Sequence, residues 1–162
     1  MPRRFWLMKT EPDVFSFDDL MAAKGRVSGW DGVRNFQARN MLRDEMKPGD
    51  GVLVYHSRVT PMCIAGVAEI SKEGHVDPTQ FDPKDHHYDP KSKPASPFWY
   101  QVEIRAIEKL KRPVTLDEMR EVPALKEMAL LRKGQRLSVQ PVSKAEFETV
   151  IKLGKTPAGS AK

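Results

Sequence analysis

Two segments concentrate the residue types that do chemistry. The first is Trp30-Asp31-Gly32-Val33-Arg34-Asn35, where an indole, a flexible turn, a cation and an amide stand together. An open indole stacks on a planar heterocycle, worth about 1–3 kcal/mol per nucleic-acid base, and an amide reads that heterocycle's edge with comparable discrimination. The same residues also fit a structural role, with Trp30 closing one end of the core and Asn35 capping the helix it precedes. The second segment is a polar run in which His75, Asp77, Asp82, Asp85, His86, His87 and Asp89 fall within fifteen positions. These types ligate metals and could serve a metal-dependent hydrolase. Zinc, however, favours ligands fixed on rigid elements, and this run is broken by prolines and interleaved with lysines, so the expectation is a solvated loop without metal or other cofactor.

Other reactive residues are poorly placed. Cys63 lies inside the apolar run Cys63-Ile64-Ala65-Gly66-Val67, where a thiol is normally buried and inert. His56 and Ser57 are adjacent, and neighbours on a strand point to opposite faces, so that imidazole does not reach that hydroxyl. No Gly-x-Ser-x-Gly elbow and no Gly-rich phosphate loop occurs in the sequence.

The chain has 162 residues and 18.4 kDa, the size of one ordinary domain. We expect a single domain over 1–154 and a disordered tail over 155–162, where the residues are too small and polar to pack. A single cysteine fits a reducing compartment, and no apolar stretch approaches the ~18 residues of a membrane span, so the expected location is cytoplasmic, or nuclear in a eukaryote. Lys plus Arg number 27 against 22 Asp plus Glu, leaving +5 and a pI near 9.3. That balance makes a polyanionic partner plausible. The excess lies in the last third, where residues 101–162 hold 13 basic and 8 acidic side chains; a solvated helix surface explains this as readily as a binding face does.

The elements that would position these residues follow from pattern. Phe5 to Lys9 is a short apolar strand stopped by Pro12, and Ser16-x-x-Asp19 caps a brief helix ending at Gly25. Arg26 to Trp30 is a short extended piece, Asp31-Gly32 a turn, and Asn35 to Glu45 a helix. Gly51 to Ser57 and Cys63 to Ile70 are apolar on both parities, as central strands are. Gly74 to Pro97 reads as one long proline-broken loop, and Trp99 to Leu110 as a long strand with a bulge near Ile107. Two helical turns, a strand over Arg136 to Val142 and a capped helix ending at Gly154 complete the chain. The sum is α+β: five to six strands in a small mixed or closed sheet with peripheral helices.

Several of these segments together resemble the EVE domain, a PUA-like family. The matching pieces are Trp6 to Pro12, Trp30 to Asn35 with Ala38-Arg39-Asn40, Gly49-Asp50 leading to Tyr55-His56-Ser57, Gly66 to Glu69, Trp99-x-x-Val102, and Arg136 to Val142. They fall in family order from residue 5 to about 153. Tyr88 to Ser92 and Pro97-Phe98-Trp99 also resemble family loop sequence, while His86-His87 departs from it.

The resemblance implies a PUA-like β-pseudobarrel related to the YTH readers of methylated adenine. It implies a non-enzymatic reader of a modified base in nucleic acid, with methylated cytosine and its oxidised forms as candidates; a monomer is assumed. A general RNA-binding module without modification selectivity is the alternative. On that likeness Trp30 corresponds to a cage-wall tryptophan and stacks on an extruded base, Asn35 and Ser57 supply edge hydrogen bonds, and Lys9, Arg34 and Arg136 hold phosphates. Trp99 is either a second aromatic wall or a strand end covered by the long loop.

Overall fold

The computed structural model describes residues 3–155. Its core is a six-stranded mixed sheet of order β2-β5-β4-β3-β1-β6, built from β1 (Phe5–Thr10), β2 (Val27–Gly29), β3 (Gly51–His56), β4 (Cys63–Val76), β5 (Tyr100–Thr115) and β6 (Val139–Val142). β1 runs parallel to β3, with Phe5 opposite Gly51 and Thr10 opposite His56, and the other pairings are antiparallel. The hydrogen-bonded order runs from β2 to β6 and does not close, so the pseudobarrel implied by the family likeness is an open sheet, curved by bulges. Four register shifts between β4 and β5 supply that curvature.

The apolar runs on both parities have a direct cause. Trp6 and Met8 face one core with Phe17, Trp30, Leu42 and Met46, whereas Phe5 and Leu7 face another with Leu53, Tyr55, Phe147 and Val150. A strand covered on both faces needs apolar residues at every position. The first face is closed by α1 (Phe17–Ala22) and by α2 (Phe36–Asn40), which continues as a π-helical turn over Met41–Glu45. The second is closed by α3 (Leu116–Arg120), short 3₁₀ turns carrying Leu125, and α4 (Lys144–Lys155). Trp6 is deeply buried, and its indole N–H is satisfied by Asp50 Oδ2 at 3.0 Å.

Several sequence expectations shift: the strand expected over Trp99 to Leu110 is β5, which runs to Thr115, and the one expected from Arg136 is β6, which starts at Val139. β4 continues to Val76, so the start of the expected loop at Gly74 is strand, paired through Lys72–Glu103 and His75–Gln101. Gly74 is there because the backbone of the π-helical turn presses on it: a Cβ would lie 2.5 Å from Leu42 O and 2.8 Å from Arg43 Cα. α4 runs through Gly154, which sits against Leu110, instead of stopping there. Of the expected tail over 155–162, Lys155 ends α4 and the remainder lies outside the described residues.

Because the contact at Gly74 is backbone and cannot rotate away, Gly74→Ala should destabilise the protein by about 1–3 kcal/mol, the usual cost of overpacking. Urea unfolding of the variant beside wild type measures it. An unchanged midpoint would remove the close-approach account.

Candidate nucleic-acid interface

The parallel pairing of β1 with β3 sends both strands out of the same edge of the sheet, and antiparallel β6 enters there. Lys9, Ser57 and Arg136 therefore meet, although the sequence separates them widely. Facing them is the segment after β2, starting with Trp30, whose N–H is held by Val102 O at 2.7 Å. Between the two lies a cavity of about 710 Å³ lined by Lys9, Phe15, Trp30, Asp31, Arg34, Ser57, Arg58, His87, Arg136 and Ser138, among others. That volume is typical of small-molecule sites and admits one nucleobase. Trp30 is 8% exposed, packed edge-on against Phe15 with 6.4 Å between ring centroids, and the cavity borders it.

The segment 30–35 is bolted to the long loop by one carboxylate. Asp77 is fully buried; its Oδ2 accepts the Gly32 N–H at 2.9 Å and Arg34 Nη1 at 3.0 Å, while Oδ1 accepts the Thr79 N–H and hydroxyl. Burial alone would raise the Asp77 pKa, but hydrogen bonds from Thr79, Gly32 and Arg34 outweigh it and hold the carboxyl below its ordinary 3.8. Gly32 takes φ +79°, and a Cβ there would lie 2.6 Å from the His87 ring, so the turn needs glycine twice over.

The sequence-selected residues divide in two. Lys9, Trp30, Arg34, Ser57 and Arg136 come together around the cavity, whereas Asn35 and Trp99 are not among its lining residues. Asn35 spends its Oδ1 on the Ala38 N–H as the N-cap of α2, the structural alternative open to it from the start. Trp99 is the covered strand end: it is 5% exposed, stacks on Phe36 at 4.6 Å, and donates its indole N–H to Asp89 Oδ2 at 2.7 Å. Arg34 borders the cavity but cannot grip a phosphate as placed. Its guanidinium donates to the His87 carbonyl twice, to the Val33 carbonyl, to Asp77 and to Thr79, which occupies all five donors. Arg34 is a strut that holds the wall.

Phe15, Asp31, Arg58 and Ser138 line the cavity without having been singled out. Arg58 and Ser138 were findable once β1, β3 and β6 were known to share an edge, since Arg58 follows Ser57 and the Ser138 carbonyl accepts the Lys9 N–H at 2.8 Å. Arg58 takes φ +52° and reaches Glu11 at 3.4 Å, remaining largely exposed. Burial lowers the Lys9 pKa and raises that of Asp31, the latter helped by the Asp77 charge, so both groups feel a partly dry site.

The polar run has structural duties. His75 contacts Gln101, Asp77 holds Arg34, Asp82 accepts the Lys84 N–H and Asp89 holds Trp99. Asp85, His86 and His87 have ligand atoms within 4.8 Å of one another, on a turn where Asp85 Oδ1 accepts the His87 N–H at 2.8 Å. The loop has a buried spine: Gln80 donates to the Asp77 and Trp99 carbonyls and accepts from the Ser92 hydroxyl and the Trp99 N–H. Cys63 is buried with its thiol pKa raised, and His56 Nε2 accepts the Phe17 N–H at 3.0 Å.

In the basic last third, Arg105 pairs with Glu69, Lys109 with Asp18, Arg112 with Glu118 and Arg120 with Asp117. These pairs engage four of the 13 basic side chains of residues 101–162. Arg136 faces the cavity.

An open mixed sheet covered by helices on both faces, with a tryptophan-bordered cavity at one edge, defines a PUA-like α+β domain. The chain belongs to the EVE domain family, which it matches over residues 4–153. It is 43% identical over 165 residues to thymocyte nuclear protein 1 of Danio rerio, spanning 91% of this chain and 71% of that protein. Human THYN1 solved with DNA containing 5-methylcytosine superimposes with TM-score 0.89 at 39% identity, covering 94% of this chain and 98% of that one. Protein PSPTO5229 of Pseudomonas syringae gives TM-score 0.88 at 39% identity, covering 93% and 99%. Among the described residues no helix is long and apolar enough to cross a membrane.

Removing the Asp77 charge leaves Arg34 and the Gly32 N–H short of a partner, so Asp77→Asn should cost about 3 kcal/mol, the scale for breaking a buried pair. The folded-state pKa is depressed, so the carboxylate's contribution is complete above 3.8 and is lost as pH falls through the lowered value. Urea unfolding should therefore show a constant gap between wild type and variant near neutrality that narrows below pH 3.8. A gap that widens on acidification would contradict the assignment.

Proposed function

We propose that this protein is a non-enzymatic nucleic-acid reader that takes one extruded base, methylated cytosine or a close relative, into the cavity beside Trp30. The observation that carries the reading is the meeting of Lys9, Trp30, Ser57 and Arg136 around one base-sized space, in a chain 39% identical to a protein solved with 5-methylcytosine DNA. Trp30 supplies the stacking face, Ser57 and Ser138 offer hydroxyls to the base edge, and Lys9, Arg58 and Arg136 take the flanking phosphates. Its place of work is wherever that nucleic acid lies, the cytoplasm of a cell without a nucleus or the nucleus of one that has it.

Extrusion costs a few kcal/mol, and stacking in a partly dry slot with satisfied edges offsets it. A methyl group adds only about 0.8 kcal/mol by filling apolar space, so the preference for methylated over plain cytosine should be near fourfold unless water is also excluded from a fitted site. A general RNA-binding module would depend on the basic last third and would ignore modification, since phosphate contacts carry no sequence information.

Fluorescence titration of methylated and unmethylated cytosine oligonucleotides tests this. Trp30→Ala should weaken binding of the methylated strand by about 1–3 kcal/mol, and Trp30→Phe, which keeps more of the core, should weaken it less. Equal affinities of all three proteins for both strands would remove the reading. Each cation on phosphate contributes roughly 0.9 to the slope of log K against log salt on duplex DNA. Arg136→Ala should therefore flatten that slope by about one cation's share, whereas an unchanged slope would take Arg136 out of the interface.

A further inference from the structure

Three carboxylates line the cavity: Glu11, Asp31 and Asp85. Glu11 is engaged by Arg58 at 3.4 Å, and Asp85 accepts the His87 N–H at 2.8 Å beside two imidazoles. Asp31 receives no hydrogen bond or ion pair from another residue among those described. It directly follows Trp30, on a backbone fixed by Val102 and, through Gly32, by Asp77. A carboxylate held next to a stacking face is an acceptor waiting for a donor on the edge of whatever stacks.

We propose that Asp31 sets base identity in the cavity, its carboxylate accepting a hydrogen bond from the exocyclic 4-amino group of an extruded cytosine or 5-methylcytosine. The assignment rests on the cavity reading and deepens it. Among the bases, cytosine presents its amino donor where thymine and uracil present the O4 acceptor, and acidic side chains pair with cytosine N4 for that reason. A thymine in the same pose would set its O4 against the carboxylate, two acceptors with no proton between them. Partial burial strengthens the discrimination, because a misplaced acceptor there is poorly compensated by water. The raised Asp31 pKa reports that desolvation.

The informative pair of ligands is 5-methylcytosine and thymine, which share the C5 methyl and differ only on the Watson–Crick edge. Each is placed at the centre of an otherwise identical single strand, so that no pairing energy separates them. Wild type should bind the 5-methylcytosine strand about tenfold or more tightly than the thymine strand. Asp31→Asn offers an amide that by rotating matches either edge, its NH2 to O4 and its oxygen to N3–H of thymine, or its oxygen to N4–H and its NH2 to N3 of cytosine, and should bring the two affinities close to parity; Asp31→Ala should abolish the preference. Unchanged thermal melting of both variants is the folding control. A wild type that binds both strands equally, or an Asp31→Asn variant that keeps the wild-type preference, would overturn the proposal. Ser138→Trp, which fills the cavity, separates the two levels. If it leaves 5-methylcytosine affinity intact, the cavity reading fails and Asp31 with it. If it abolishes affinity while Asp31→Asn keeps the wild-type preference, only the Asp31 assignment fails.

Discussion

The buried carboxylate of Asp77 is the constraint on which the site depends. It lies where β4 ends and the long loop starts, and with Arg34, which also donates to Thr79 and to the His87 carbonyl, it joins two stretches of backbone far apart in sequence. One is the glycine turn after Trp30, held through the Gly32 N–H and Arg34; the other is the loop's first turn, held through Thr79. A charge this deep is tolerable only when its lone pairs are filled by well-aligned donors, and here they are. The cost of burying it is returned as geometry: the wall that carries Trp30 has a single position relative to the loop that shields Trp99.

A second constraint comes from sheet topology. Parallel pairing of β1 with β3 and antiparallel pairing with β6 bring the ends of three strands together, and the curvature of β4 and β5 swings β2 round toward that edge. The cavity is the space left between strand ends on one side and the β2–α2 segment on the other. Helices on both faces supply the apolar burial that keeps the sheet rigid, so the edge can carry polar and charged groups without weakening the core.

Much of this was legible in the residues. The double-sided burial of β1 and β3 was written in runs such as Phe5-Trp6-Leu7-Met8, whereas the turn expected at Asp31-Gly32 is an irregular connection in which Gly32 takes a positive φ. The meeting of Lys9, Trp30, Ser57 and Arg136 came through the family likeness, because no local pattern encodes which strand ends adjoin. What misled was sharing of roles by residue type. An amide before a helix can cap it or read a ligand, and Asn35 caps. An arginine beside a tryptophan can hold phosphate or brace a wall, and Arg34 braces, since its partner Asp77 stands 43 residues away. A loop dense in Asp, Ser and Pro reads as solvated, yet Gln80 and Ser92 are buried in it because each finds partners inside the loop itself.

The charges around the cavity are arranged unevenly, and the arrangement restricts how a polyanion can approach. Lys9, Arg58 and Arg136, with Glu11 paired to Arg58, belong to the strand-end side, at or beside the ends of β1, β3 and β6, while Asp31 and Asp85, with Arg34 committed to Asp77, belong to the opposite side, after β2 and in the long loop. Phosphates are attracted to the first side and repelled from the second, and the interaction weakens only modestly over a few ångströms where water is partly excluded. On the reading proposed above, a nucleic-acid backbone would run along the strand ends, with its base pointing across the cavity toward Trp30 and the acidic wall. The polarity that would repel a backbone from that wall would leave it free to meet the donor groups of a base, so under that reading one charge distribution would both steer the strand and orient what it delivers.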